Sequence, residues 1–534
     1  MTTFNLIDEP WIRVRLSTGD LTEVSLIGVF ARAHEITTLA GELPTQDVAV
    51  LRVLLAVLRR SHPDARGTEA WQALWERGSF DPAPITTYVE THRERFDLLH
   101  PVTPFFQVAD LRTAKGEFTD LARLVADVPA GFAYFTTRAG DALDTMTFAE
   151  ASRWLIHCQA FDPSGIKSGA VGDDRVKGGK GYPIGTGWCG RLGVVVIEGS
   201  NLFQTLLLNS PIAKRDSDPA LDLPVWEQSA HTAATSRLHP TGPADLQTWQ
   251  LRRLRLGHDG EKATAVLIAN GDPLHASNRF RDEFMTSWRN SEAQKKAQKS
   301  NDDVFMPREH LPERSIWRGL AGLLAEGEAG SSGKPGRWLT WLSDLRGDEA
   351  LARSVPVRVR TIGMIYGPQS STTADMIDDR LQVDVGVLAD PHMRALAVDA
   401  VADADKAVRF VASLGGELAQ AAGGSGDVIA TARGRARERA YEALDQPYRQ
   451  WLRALTPRTA TDGARVVWHD LLRRTLASVV RDLIVAGGPA AWTGREETQG
   501  DKTYFYNAGH AEAVYRHQMR TTFPAPSSSE GDAA

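Results

Sequence analysis

Apolar and polar positions first alternate over Trp11–Leu16, where Arg13 and Arg15 separate apolar residues, and again over Leu21–Leu26. The intervening Ser17-Thr18-Gly19-Asp20 has turn chemistry, so the pattern predicts a β-hairpin. The period then lengthens. Val48, Leu51, Leu54, Leu55 and Leu58 recur at helical spacing behind Thr45, a residue type suited to capping a helix. Thr147 and Glu150 form a T-x-x-E capping box ahead of a helix bearing Phe148, Ala151, Leu155 and Cys158, which ends before Pro163.

Both periods disappear from Asp162 to Gly190, a stretch dense in Gly, Lys and Ser that reads as loop. Short apolar runs at Leu192–Ile197, Phe203–Leu208 and Thr264–Ala269 predict strands, while Asp216–Pro243 carries few periodic signals. Val357–Tyr366 predicts another strand, with Leu381–Val385 returning beside it across the turn cluster Gly367-Pro368-Gln369-Ser370-Ser371. From Pro391 to Phe523 the chain is rich in Ala, Leu, Arg and Glu at helical spacing, which predicts three or four bundled helices. The tail from Pro524 to Ala534 has a disordered composition.

At 534 residues, two or three domains are expected. No apolar run reaches the roughly 18 residues that span a membrane, and no basic n-region precedes an apolar stretch, so a cytoplasmic chain without membrane contact is expected. The two cysteines, Cys158 and Cys189, lack C-x-x-C spacing and predict buried thiols rather than zinc ligands. A net charge of −6 argues against a chain that coats nucleic acid everywhere, while leaving room for local basic patches.

Several motifs fail on context. Gly185-Thr186-Gly187-Trp188-Cys189-Gly190 fits G-x-G-x-x-G, yet a Gly/Lys loop precedes it and a strand-like run follows, the reverse of a dinucleotide site. Gly178-Gly179-Lys180-Gly181 lacks the first glycine and the hydroxyl of a P-loop. His469-Asp470 stands alone on a helical pattern. No catalytic constellation, metal site or cofactor site is expected, and an enzyme is not predicted. A hydrolase site near His157 and Cys158 stays open as an alternative, as does a nucleic-acid-binding scaffold of a multi-subunit complex.

The loop from Ser164 to Gly181 suits phosphate contact, because glycines expose N–H groups and Lys167, Lys177 and Lys180 add charge. A solvated surface loop fits its composition slightly better. Arg252, Arg253, Arg255, His258 and Lys262 form a second basic cluster, and Lys295, Lys296 and Lys299 a third. Gln369 offers a planar amide on a Pro/Ser tip, although an ordinary turn glutamine suits the residues alone.

Four segments occur in a shared order: Phe4-Asn5-Leu6-Ile7-Asp8-Glu9-Pro10-Trp11-Ile12, Pro104-Phe105-Phe106-Gln107, Gly165-Ile166-Lys167-Ser168-Gly169, and the glutamine tip. On these the chain resembles, from end to end, the CasA family, the large subunits of type I-E CRISPR Cascade complexes. The resemblance implies an α+β fold: an irregular mixed α/β domain over residues 1–388, then an all-α four-helix bundle over 389–523, with 524–534 as the tail. It implies a PAM-reading role in an RNA-guided antiviral surveillance complex, in which the glycine loop (Gly165, Ile166, Lys167, Ser168, Gly169) and the wedge Gln369, flanked by Pro368 and Ser370, approach the minor groove. Some family members carry an Asn immediately before the wedge, where Pro368 here has no side-chain donor. Lys262 is matched to a PAM-contacting lysine. Phe135, Thr136, Thr137 and Arg138 are matched to a loop that docks near the 5′ handle of the CRISPR RNA. The remaining implied partners are the backbone and small subunits, target double-stranded DNA with its PAM, and the helicase–nuclease that cuts it. Lys177, Lys180, Arg252 and Arg253 are candidates for phosphate contact.

Overall fold

The computed structural model describes residues 2–63, 65, 67–128, 136, 144–210, 220–324, 333–499 and 502–524. It is a mixed α/β fold with a helical C-terminal region, and it divides into two compact units, Met1–Leu381 and Gln382–Ala534.

The first unit opens on the expected hairpin, β1 (Ile12–Leu16) and β2 (Leu21–Val24), with β3 (Ile36–Leu39) on the other side of β1. The Pro44–Ser61 helix follows. Its cap is Leu43, with Pro44 in the first turn, so Thr45 is not the cap. Thr45 lies buried within the helix, and its Oγ1 sits 3.0 Å from His157 Nε2. The Phe148–Phe161 helix begins as its capping box requires: Thr147 Oγ1 accepts the Glu150 N–H at 3.2 Å.

Two short strands, β4 (Lys167–Ser168) and β5 (Lys180–Gly181), pair antiparallel beyond that helix, followed by β6 (Val194–Glu198). Phe203–Leu208, expected as a strand, lies in the Leu202–Leu208 helix, capped by Asn201. A short apolar run has no decisive period, and the Asn201 cap settles it.

The core beneath the candidate site is a helix-on-hairpin layer. Trp154, Leu155 and Cys158 pack with Leu254, Leu256, Val266 and Ile268 of the hairpin β7 (Arg252–His258) and β8 (Ala263–Asn270). Gln107, from one of the family-like segments, braces this layer by accepting the Leu256 N–H at 2.8 Å and donating to Leu98 O at 2.9 Å. Beyond it, β9 (Trp288–Asn290) pairs with β10 (Phe305–Pro307), and β11 (Pro356–Tyr366) lies between β6 and β12 (Thr373–Asp384).

The second unit holds four long helices, Pro391–Ala421, Asp427–Ala454, Thr461–Ala486 and Ala508–Thr522. The first of these packs against the other three, and Tyr448, Trp451 and Trp468 cluster between them. The region is not all-helical, however. An antiparallel hairpin, β13 (Arg495–Gln499) and β14 (Lys502–Tyr506), precedes the last helix. The expected disordered tail lies outside the described residues apart from Pro524.

Candidate nucleic-acid interface

The Phe148–Phe161 helix delivers its C-terminal residue directly into the glycine loop. Asp162 is buried there and accepts from both Lys167 Nζ and Arg252 Nε at 2.6 Å. Burial alone would raise this carboxyl, but the two cations hold it below its ordinary value. Arg252 also donates to the carbonyls of Pro163 at 3.1 Å and Gly185 at 2.8 Å. The triad therefore staples the start of the loop onto β7. Removing one partner of such a buried set costs on the order of 3–5 kcal/mol, because an uncompensated charge stays behind.

The loop then folds on itself. Gly169 N–H donates to Gly179 O at 3.0 Å, and a Cβ at Gly169 would lie 2.6 Å from that oxygen. Lys177 and Lys180 exchange backbone hydrogen bonds of 3.1 Å each across Gly178 (φ 59°) and Gly179 (φ 75°). Two successive positive φ angles define a type I′ turn, which glycine enters without steric cost. Lys177 and Lys180 consequently flank an ordered, exposed hairpin end rather than a shapeless loop.

The glutamine tip meets this loop. β11 and β12 are joined through Gly367–Thr372, closed by Gly367 N–H to Thr372 O at 2.9 Å. Gln369 (φ 56°) and Ser370 (φ 53°) both occupy the left-handed region. That conformation costs a non-glycine residue roughly 1–2 kcal/mol. Ser370 O accepts the Ser164 N–H at 2.6 Å, and a Cβ on Gly165 would lie 3.3 Å from Ser371 O. Loop and tip thus share one open cleft of about 790 Å³, lined also by residues 122–126, Val128, Tyr182 and Pro183. Pro368 and Gln369 are exposed, and Ser370 is half-buried.

The structure gathers Gly165, Ile166, Lys167 and Gln369 on the cleft, with Ser168 and Gly169 next to them in the paired strands. Two residues not anticipated from sequence join them. Arg123 is an exposed cation lining the cleft, and Tyr182, beside the expected Ile166, exposes apolar surface (54% and 56%). Tyr182 directly follows the Lys177–Gly181 turn, so a Gly/Lys stretch ending in an aromatic was the available signal for it.

Other candidates fall elsewhere. Arg252 and Arg253 are each 1% exposed and are not surface phosphate contacts. Arg253 donates to Asp272 at 2.8 Å and to the carbonyls of Thr232, Gln250 and Ala234. Alternation along β7 gave their basic side chains internal partners, which composition could not signal. Lys167 is likewise 11% exposed on its side chain and committed to Asp162. Lys262 is exposed in the turn joining β7 to β8, where its N–H donates to Asp259 Oδ1 at 2.8 Å, and it does not line the cleft. Phe135, Thr137 and Arg138 lie outside the described residues, whereas Thr136 is described and half-buried.

His157 and Cys158 line the cleft floor but lack nucleophile chemistry. Burial pushes the Cys158 thiol far up, with Asp162 adding to the shift, and burial pulls His157 down to about 4. A reactive thiol requires the opposite shift. His469 pairs with Asp403 at 2.9 Å and Asp470 with Arg473 and Arg474, so the two do not converge on a metal. Gly185–Gly190 is no nucleotide loop either. A Cβ at Gly187 would lie 2.3 Å from the Ala160 backbone, and Trp188 Nε1 donates to Glu283 Oε2 at 2.6 Å, so these residues serve packing.

The family model described as CRISPR-associated protein Cse1 matches residues 5–479. A curated Thermus thermophilus protein, CRISPR-associated protein CasA/Cse1, is 31% identical over 388 residues, 71% of this chain and 70% of its own length. The crystal structure of Thermobifida fusca Cse1 is similar at TM-score 0.89 and 40% identity, covering 98% of both chains. That of Cse1 from Acidimicrobium ferrooxidans is similar at TM-score 0.82 and 27% identity, again covering 98% of both. A chain from a structure titled CRISPR RNA-guided surveillance complex shares the fold at TM-score 0.65 and 19% identity, covering 98% of this chain and 100% of the other. The chain therefore belongs to the Cse1 (CasA) family of CRISPR-associated proteins.

Proposed function

We propose that this chain is the PAM-reading large subunit of an RNA-guided surveillance complex, and that the cleft between the glycine loop and the Gln369 tip is where duplex DNA is read and opened. The observation that carries this reading is the Ser164–Ser370 hydrogen bond, which fixes the loop and the tip relative to one another. A minor groove presents few distinguishing groups, so a reader there depends on close backbone approach and shape. Gly165 and the Gly178-Gly179 turn allow that approach, and Lys177, Lys180 and Arg123 supply charge for phosphates. Gln369, held in a strained conformation at an exposed tip, is suited to enter between base pairs. Strain of this kind at an exposed site points to function.

In this reading, unstacking the first target pair costs a few kcal/mol, offset by contacts to the backbone. Guide–target pairing then checks the sequence. Docking to the CRISPR RNA 5′ handle through Phe135 and Arg138, contact of the helical unit with backbone and small subunits, and recruitment of the helicase–nuclease complete the assignment. Lys262 belongs to this surface only if bound DNA extends to the β7–β8 turn.

The test is R-loop formation by the assembled complex carrying Gln369→Ala. The rate should fall on intact duplex and recover when the first target pairs are mismatched beforehand. An equal defect on both substrates would assign Gln369 to plain binding, and no defect would remove the wedge.

A further inference from the structure

A second cavity, of about 370 Å³, lies away from the cleft, where β9, β11 and β12 meet residues 308–323. It falls within the roughly 300–1,000 Å³ of small-molecule sites. Four arginines line it: Arg289, Arg308, Arg314 and Arg318. Glu309 is the only carboxylate among the described lining residues. Asp379 accepts the Ile316 N–H at 2.8 Å. On a chain of net charge −6, such a concentration of guanidinium groups in a concave site needs a reason.

The site is built around Arg308. A Cβ at Gly322 would lie 2.7 Å from Arg308 Nη1, and one at Gly193 would lie 2.5 Å from Arg308 O, so both glycines make room for this residue. Arg318 is steadied by the Glu313 carbonyl at 3.0 Å. Arg289 and Arg314 are exposed, and neither forms a salt bridge among the described residues. His310 Nε2 lies 3.0 Å from Val194 O, and burial lowers its pKa, so it adds no charge near neutral pH. Ile316, Leu311 and Ile377 give the cavity an apolar wall.

We propose that this cavity binds a phosphate-bearing ligand of nucleotide size, with Arg289 and Arg314 gripping phosphate and the apolar wall facing the organic part. Planar guanidinium groups bind phosphate oxygens in pairs, which separates this site from a merely positive surface. The same chemistry would suit a free nucleotide or the 5′-phosphorylated end of a strand.

The experiment is calorimetric titration of the full chain with pyrophosphate, ATP, and a tetranucleotide with and without a 5′-phosphate. Saturable one-site binding is expected for pyrophosphate or ATP, or for the tetranucleotide only when it is phosphorylated. The first outcome identifies a free nucleotide, the second a strand end. Affinity should fall at least about ten-fold in Arg289→Ala/Arg314→Ala, and less in Arg289→Lys/Arg314→Lys, which keeps charge but loses the paired donors. It should be unchanged in Lys177→Ala/Lys180→Ala on the glycine turn. Absence of saturable binding by every probe, or full affinity in the arginine-to-alanine variant, would overturn the proposal.

Discussion

Gln369 and Ser370 adopt positive φ angles that neither residue favours. The Ser164 N–H to Ser370 O bond and the Gly367–Thr372 closure hold them there. Because the restraint is backbone-mediated, truncating the Gln369 side chain should leave stability within about 0.5 kcal/mol of the parent while impairing duplex opening. Equilibrium unfolding beside the R-loop assay checks the separation. His157 gives a second residue-scale expectation. Its pKa falls from 6.5 to about 4 on burial, so the unfolded chain binds the extra proton between those values. The contribution is fully present above pH 6.5 and is lost as pH falls toward 4, up to about 3 kcal/mol from a shift of this size. Asp47 acts oppositely. Burial raises it to about 6, so its protonated form favours folding and stability declines as pH rises from about 4 to 6. Melting temperature against pH should steepen below pH 6.5 in Asp47→Asn and flatten in His157→Gln. Parallel profiles in all three proteins would contradict both assignments.

Among the elements, the Lys177–Lys180 turn makes the clearest demand on sequence. Gly178→Ala or Gly179→Ala forces a side chain into the left-handed region and should cost about 1 kcal/mol or more each, local to the loop. Lys177→Ala/Lys180→Ala should spare the fold and lower the slope of log affinity against log salt by about 0.9 for each phosphate no longer neutralised. An unchanged slope would mean the turn is only solvated. The glycine and lysine pattern made this element legible as a loop, and the resemblance to CasA gave it a role. Its I′ turn closes locally between Lys177 and Lys180, whereas the pairing of Lys180–Gly181 with Lys167–Ser168, well upstream, was hidden from the sequence. Thr147 was readable as a cap because its partner is three residues away. Thr45 looked equivalent, but the preceding Pro44 takes the first helical turn and leaves Thr45 to face His157. Arg252 and Arg253 were misread because their counter-charges, Asp162 and Asp272, lie outside any local window. The β13–β14 hairpin escaped notice because its short alternation sits among long helical stretches.

At the scale of the whole molecule, the chemistry of cutting is expected to reside in a partner. Every carboxylate, imidazole or thiol that invited a catalytic reading is committed elsewhere: His469 to Asp403, Asp470 to Arg473 and Arg474, and Cys158 to a buried wall. Among the described residues, no three His, Cys, Asp or Glu side chains gather where they could hold a metal ion. A net charge of −6 adds that loose, unguided DNA association by the isolated chain should be weak and salt-sensitive, and in the proposed reading the phosphate contacts come from local cations such as Lys177, Lys180 and Arg123. Purified chain incubated with duplex or single-stranded DNA and Mg²⁺, Mn²⁺ or Ni²⁺ should therefore leave both substrates intact. The assembled complex should cut only after the helicase–nuclease is added. Metal-dependent cleavage by the chain alone, abolished by His469→Ala or Asp470→Ala, would place a nuclease centre in the helical unit. Cleavage blocked instead by a thiol reagent would return Cys158 to consideration.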